Sequence, residues 1–184
     1  MIKNLTTLLL IVFISCGQTT GKQEAKIAQK NISNWKTLKE SNYSIQYPDN
    51  WDLNQVGQMG TKFILFSQLD SSNDNFRENV NLIIQDLSGK NIDLDKYVEI
   101  TEGQVKTMIS NSSLIESKRE KNNNGEFHKM VYTGDQGVFH LTFEQYFWVI
   151  NDKAYVLTFT SEQNKFSSYK SIGEQILNSF LLSK

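Results

Sequence analysis

Residues 138–160 read VFHLTFEQYFWVINDKAYVLTFT: two aromatic and β-branched runs on either side of Asn151-Asp152. Such runs predict strands, and two polar residues between them predict a tight two-residue hairpin turn of the primed type. The turn sets Ile150 opposite Lys153 and Trp148 opposite Tyr155. Strand side chains alternate between faces. Phe139, Leu141, Phe143, Phe147 and Val149 then share one face with Ala154, Val156 and Thr158. Tyr146, Trp148, Tyr155, Leu157 and Phe159 share the other. Both faces are apolar, so both must be covered.

The cover is legible on either side of the hairpin. Asp93 to Ser110 predicts a helix, with Leu94, Tyr97, Val98, Thr101, Val105, Met108 and Ile109 at helical spacing and Asp93 as its N-cap. Ser168 to Leu182 predicts a second, with Tyr169, Ile172, Ile176 and Phe180 on its inner stripe. Strands are expected over Asn42–Tyr47, Trp51–Leu53, Thr61–Gln68, Asn79–Leu87, Leu114–Lys121 and Glu126–Thr133. The fold class is therefore α+β: a mostly antiparallel sheet covered by helices on both faces, an α/β/α sandwich.

Three stretches in this order, YSIQYPDNWDL (43–53), LDKYVE (94–99) and ILNSFLL (176–182), resemble the PsbP-like fold family. Tyr47-Pro48 and Trp51 match its opening motif and are carried over as structural features only. That family holds an extrinsic photosystem II subunit and small bacterial lipoproteins of the DcrB type. The resemblance covers the whole body and implies its fold; for the lipoproteins it implies a mostly undetermined function. Nothing in the sequence points to photosynthesis.

The amino-terminal end carries a different message. After Lys3 the chain turns apolar from Leu5, is unbroken from Leu8 to Ile14, and runs into Ser15-Cys16-Gly17. Ten residues suit a signal-peptide core and fall well short of the ~20 a membrane-spanning helix needs. A small residue before the only cysteine of the chain resembles a bacterial lipobox, although Phe13 stands where leucine is usual. The alternatives are an uncleaved signal anchor and an incidental cysteine. In lipobox signals the peptide is cut before the cysteine, whose thiol takes diacylglycerol and whose new amino group takes a further acyl chain of the palmitate class. Two or more chains are what stable membrane residence requires. The expected organisation is a signal peptide over 1–15, lipidated Cys16 with a tether to 34, and one domain over 35–184. As a coil, the eighteen tether residues span roughly 23 Å; a short helix over Glu24–Lys30 would shorten that reach.

The body holds 15 Lys and Arg against 19 Asp and Glu, a net −4, while residues 17–34 carry +2. No basic field exists to hold a nucleic-acid backbone, so no nucleic-acid partner is expected. One cysteine excludes an internal disulfide and a Cys-pair zinc site. A body of 150 residues buries about 68–70% of its unfolded surface and needs neither to fold. The expected partners are the membrane, through Cys16, and an envelope protein or small ligand. Among lipoproteins of Gram-negative bacteria, Asp directly after the cysteine favours inner-membrane retention. Gly17 instead points to the outer membrane, and the lack of an acidic cluster after it points to the periplasmic face.

Searched for chemistry, the sequence contains no nucleophile elbow, Walker A loop, dinucleotide fingerprint or His-Glu-x-x-His. No catalytic residue and no cofactor is expected. Ser33–Lys36 and Ser167–Lys170 fit Ser-x-x-Lys and are read as a tether end and a helix start. The run Glu116, Lys118, Arg119, Glu120, Lys121 is read as an exposed strand with gatekeeper charges; the alternative is a partner-docking edge. Core packing is the first explanation of the aromatic surplus, with Tyr146 and Trp148 expected to be partly exposed. One metal arrangement is open. Were Thr133–Gly137 to turn about Asp135, His128 would face Thr142 and His140 would face Met130. The imidazoles would be diagonal neighbours, with Glu144 or Glu126 as a third ligand, in a metal-binding or hydrolytic protein. A one-residue change of register separates them.

Overall fold

The computed structural model describes residues 34–183. The signal segment, Cys16 and the tether up to residue 33 lie outside the described residues. Ten strands and two helices follow in the order β1 (Trp35–Lys39), β2 (Tyr43–Pro48), β3 (Asp52–Asn54), β4 (Thr61–Phe66), β5 (Asn79–Asp86), α1 (Leu94–Met108), β6 (Ser110–Asn122), β7 (Gly125–Gln136), β8 (Phe139–Ile150), β9 (Lys153–Glu162), α2 (Phe166–Asn178) and β10 (Leu181–Leu182). A seven-stranded sheet runs β3-β4-β5-β9-β8-β7-β6, and a small one runs β1-β2-β10. Every pairing is antiparallel.

The β8–β9 hairpin has the expected register, Ile150 opposite Lys153 and Trp148 opposite Tyr155. Asn151 and Asp152 take φ of 50° and 54°, the double left-handed turn that matches strand twist. The alternating side chains divide between two cores. Tyr146, Trp148, Leu157 and Phe159 pack with Ile176 and Leu177 of α2 and with Tyr43, Ile45 and Tyr47 of the small sheet. Phe143, Phe147, Ala154 and Val156 pack with Tyr97, Val98 and Val105 of α1. Asp93 caps α1, its carboxylate accepting from the Lys96 N–H at 2.8 Å.

The larger differences from expectation have tertiary causes. The closing helix stops at Asn178 because Ser179 Oγ donates to Gln46 O at 3.1 Å and accepts from Gln46 N–H at 2.9 Å. Leu181 and Leu182 then pair with β2, and the Asn124 amide fixes that turn from both sides, on Phe180 O and Leu182 N. β1 carries no strong apolar alternation, yet pairs with β2 over five residues. β6 begins at Ser110, directly after α1, because glycine at 134 lets β7 pass against Ile109; a Cβ there would lie 2.2 Å from Ile109 Cγ2.

Close approach also sets the seat of α2. A Cβ on Gly173 would meet the Phe159 ring at 2.6 Å. Gly173→Val is therefore expected to destabilise the domain by about 1–3 kcal/mol through overpacking, read as a lower denaturant midpoint. An unchanged midpoint would show that α2 does not rest on β9 at this point.

Candidate functional site

The metal arrangement does not form. The β7–β8 turn falls at Gly137-Val138 rather than about Asp135, so His128 faces Phe147 and His140 faces Asp135. The register moves by an odd number of residues, which turns the two imidazoles to opposite faces. Opposite His128 stands Phe147, seven positions from His140 along β8, or about 23 Å. Glu144 shares a face with His140, but four positions away, about 13 Å. Among the described residues no group of three His, Cys, Asp or Glu side chains is placed to hold a metal ion.

Each histidine has a local partner instead. His140 Nδ1 lies 2.5 Å from Asp135 Oδ1, and Asn111 donates to the other carboxylate oxygen. Asn111 first and His140 second hold Asp135 below the usual carboxylate range. His128 Nε2 lies 2.7 Å from Ser117 Oγ, which donates to Glu102 Oε1 at 2.6 Å, joining β6, β7 and α1. Burial, then the Arg119 charge, lowers the His128 pKa and favours neutral imidazole. Glu126 is exposed in the β6–β7 hairpin, where it faces Lys121.

The central aromatics pack into the two cores. Trp148 and Tyr146 are buried, not partly exposed. Phe127 lies over both, at 5.3 and 4.8 Å between ring centroids, and Phe180 meets Trp148 at 5.5 Å. Phe180, directly before β10, lies in a stretch that the sequence pattern assigned to a helix.

Charged groups bind elements together. On the edge strand β6, Lys118 bridges Glu116 and Glu120 at 2.8 Å each, exposed pairs that solvent and salt screen. Arg119 pairs with Asp95 and ties that edge to α1. The buried group is different. Lys129 on β7 reaches Glu144 of β8 at 2.9 Å, Glu174 of α2 at 3.1 Å and Glu116 of β6 at 3.5 Å. Glu144 is fully buried, which pushes its pKa up against the pull of Lys129. Burial alone would lower Lys129, but its bonds to Glu144 and Glu174 and their charges outweigh this and keep it an ammonium. In the Ser-x-x-Lys stretches, Lys170 pairs with Glu174 and Lys36 donates to Asp49 O at 2.9 Å; Ser33 lies outside the described residues.

Two adjoining open hollows lie at the α1 N-terminus, where the tips of the β6–β7 and β8–β9 hairpins converge. One, of about 440 Å³, is bounded by Leu94, Asp95, Arg119, Asn124, Glu126 and Ile150. The other, of about 420 Å³, adds Asn91, Ile92 and Asp152. The floor is aliphatic, from Leu94, Val149 and Ile150, and the rim mostly acidic, with Arg119 as its one cation. Three segments distant in sequence build it, so no local motif marks it.

These features define an antiparallel α+β domain with one core on each face of its main sheet. No family model matches the sequence, and no curated protein matches it. The fold nevertheless is PsbP-like. The cyanobacterial PsbP (CyanoP) from Synechocystis is similar at a TM-score of 0.58 and 14% identity, over 91% of this chain and 98% of that one. LpqN of Mycobacterium tuberculosis, described as involved in cell envelope biogenesis, is similar at 0.62 and 13%, over 82% and 91%. A Pseudomonas aeruginosa protein of unknown function, described as a putative regulator, is similar at 0.56 and 13%, over 82% and 97%.

Proposed function

We propose that this chain is an envelope lipoprotein whose PsbP-like domain binds or scaffolds and does not catalyse. The observation that carries this reading is the fold shared with LpqN, a protein described as acting in cell envelope biogenesis, on a chain that opens with a signal core ending at Ser15-Cys16. Within the described residues no helix is long and apolar enough to cross a membrane; in this reading the chain is attached through Cys16. A rigid α/β/α body suits a display role. Its charged side chains join strand to helix, and the open hollow beside α1, with an aliphatic floor and acidic rim, suits an envelope protein segment or a small ligand. In a Gram-negative host the domain hangs from the outer membrane on its periplasmic side; with a single membrane it stands on the outer surface.

The anchor is tested by Cys16→Ser in cells fed a radiolabelled or clickable palmitate. The native chain is expected in the membrane fraction and labelled; the variant is expected unlabelled and either unprocessed or soluble. Normal processing with continued membrane residence of the variant would overturn the anchor. Protease added to intact cells tests the side, since loss of the body with an inner control intact rejects periplasmic placement. Crosslinking in intact cells followed by capture identifies the partner.

A further inference from the structure

The connection from β4 to β5, residues 67–78, is stapled to the start of α2 by one ammonium. Lys165 Nζ lies 2.8 Å from Asp74, 3.2 Å from Asp70 and 3.0 Å from Glu162. The Tyr169 hydroxyl of α2 donates to the other oxygen of Asp70 at 2.6 Å. Asp74 also accepts from the backbone N–H of Asp70 and Phe76, which gives the segment its internal shape. Phe76 is buried against Phe139 and anchors the far end in the core under α1. Between Ser67 and Phe76, therefore, Asp70 and Asp74 hold the segment on α2.

Beneath this staple lies Glu78, fully buried. Its two oxygens face the hydroxyls of Ser67 and Ser161 at 3.4 and 3.3 Å, long contacts that stabilise an anion weakly. Lys165 acts on it through its charge rather than through an ion pair, and that cation is already shared by three carboxylates. Four acids around one ammonium leave an excess of negative charge in a partly desolvated space.

We propose that Glu78 is a proton-operated latch for residues 68–75. When protonated, it leaves Lys165 to Asp70 and Asp74 and the segment stays closed on α2. When ionised, it draws Lys165 inward and releases the segment.

Burial first, opposed by Lys165 and assisted by Asp70 and Asp74, lifts the Glu78 pKa to about 7. Asp74 moves the other way: burial would raise it, but Lys165 and the two backbone N–H groups outweigh burial and lower it. Of the other charged groups nearby, Glu162 and Tyr169 act through Lys165 and Asp70, while Arg77 turns away to Ser67 O and Asp52. The sign follows from linkage. A carboxyl raised in the closed form stabilises that form fully below its ordinary value and loses the effect as pH rises through about 7. The latch closes in mild acid and opens in mild alkali.

Hydrogen exchange on the full chain in detergent, corrected for the intrinsic pH dependence of exchange, tests this. With an ordinary carboxyl pKa in the open form, protection of amides 68–75 is expected to fall about tenfold from pH 6 to pH 8. Glu78→Gln should hold the segment closed at both values. Lys165→Gln should leave it open at both. Tyr169→Phe, which removes one contact and leaves Glu78 in place, should lower protection at both and keep the pH ratio. Equal protection at pH 6 and pH 8, or the native ratio in Glu78→Gln, overturns the proposal. A carboxyl-carbon NMR titration of Glu78 in the native chain, needing no variant, overturns it by a midpoint below about 5.

Discussion

Replacement of Phe143 by alanine is expected to cost about 3–5 kcal/mol of unfolding free energy, the range for deleting a large aromatic from a packed core. Phe143 lies opposite Tyr132 in the β7–β8 ladder, and the two rings stack at 4.9 Å and 20°. It is 6% exposed, in the core closed by Tyr97, Val98 and Val105 of α1. Truncation removes the ring, its stacking on Tyr132 and the support it gives to α1, and the flanking sheet cannot collapse to fill the space. Val138, at the tip of the same hairpin and 77% exposed, provides the control. Val138→Ala should fall within about 0.5 kcal/mol of the native protein. Chemical denaturation with an unchanged m-value reads both. A cost below about 1 kcal/mol for Phe143→Ala would mean that its ring is not packed in this core.

Lys129→Ala should cost a comparable amount, about 3–5 kcal/mol, for an electrostatic reason. The side chain is 8% exposed and faces Glu144, whose own side chain is fully buried. Removing the ammonium leaves a carboxylate without a counter-charge inside the fold, next to the further negative charge of Glu174. The variant can escape only by protonating Glu144, whose pKa burial already raises. The deficit should therefore grow as pH rises and shrink toward acid, because a carboxyl raised in the folded state loses its stabilising contribution as it ionises. Glu144→Gln in the Lys129→Ala background should recover part of the loss and flatten the pH dependence. If Lys129→Ala were no worse at pH 8 than at pH 5, the uncompensated carboxylate would not be the cause.

Both predictions depend on faces and registers, and the two hairpins show how far sequence reaches. The β8–β9 pairing was legible because Asn151-Asp152 is the only turn chemistry between two long apolar runs, and alternation then assigns every side chain to a face. The β7–β8 pairing was not. Thr133 to Phe139 offers glycines at 134 and 137, and local pattern does not distinguish a turn residue from one required for close packing. Gly134 serves the second purpose, against Ile109, and the turn moves to Gly137-Val138. That odd displacement dissolved the proximity of His128 and His140.

What the sequence determined by itself was whatever rests on local period and local chemistry. It set the two helices, the cap at Asp93, the hairpin register about Asn151-Asp152, the division of its aromatics between two faces, and the PsbP-like class. It also carried the lipobox reading at Cys16, which concerns residues outside the described fold. Only the tertiary structure decided the rest. The closing helix ends at Asn178 because Ser179 and Asn124 find hydrogen-bond partners on segments far away in sequence. Trp148 is buried because Phe127 of β7 and Phe180, just after that helix, pack against it. Lys129 with Glu144, and Lys165 above Glu78, became joined groups because charged side chains scattered along the chain were brought to one face and taken out of water together. In sequence each of these looks like an ordinary surface charge, since the cost of burying it, and the partner that offsets that cost, exist only once the sheet and α2 have closed.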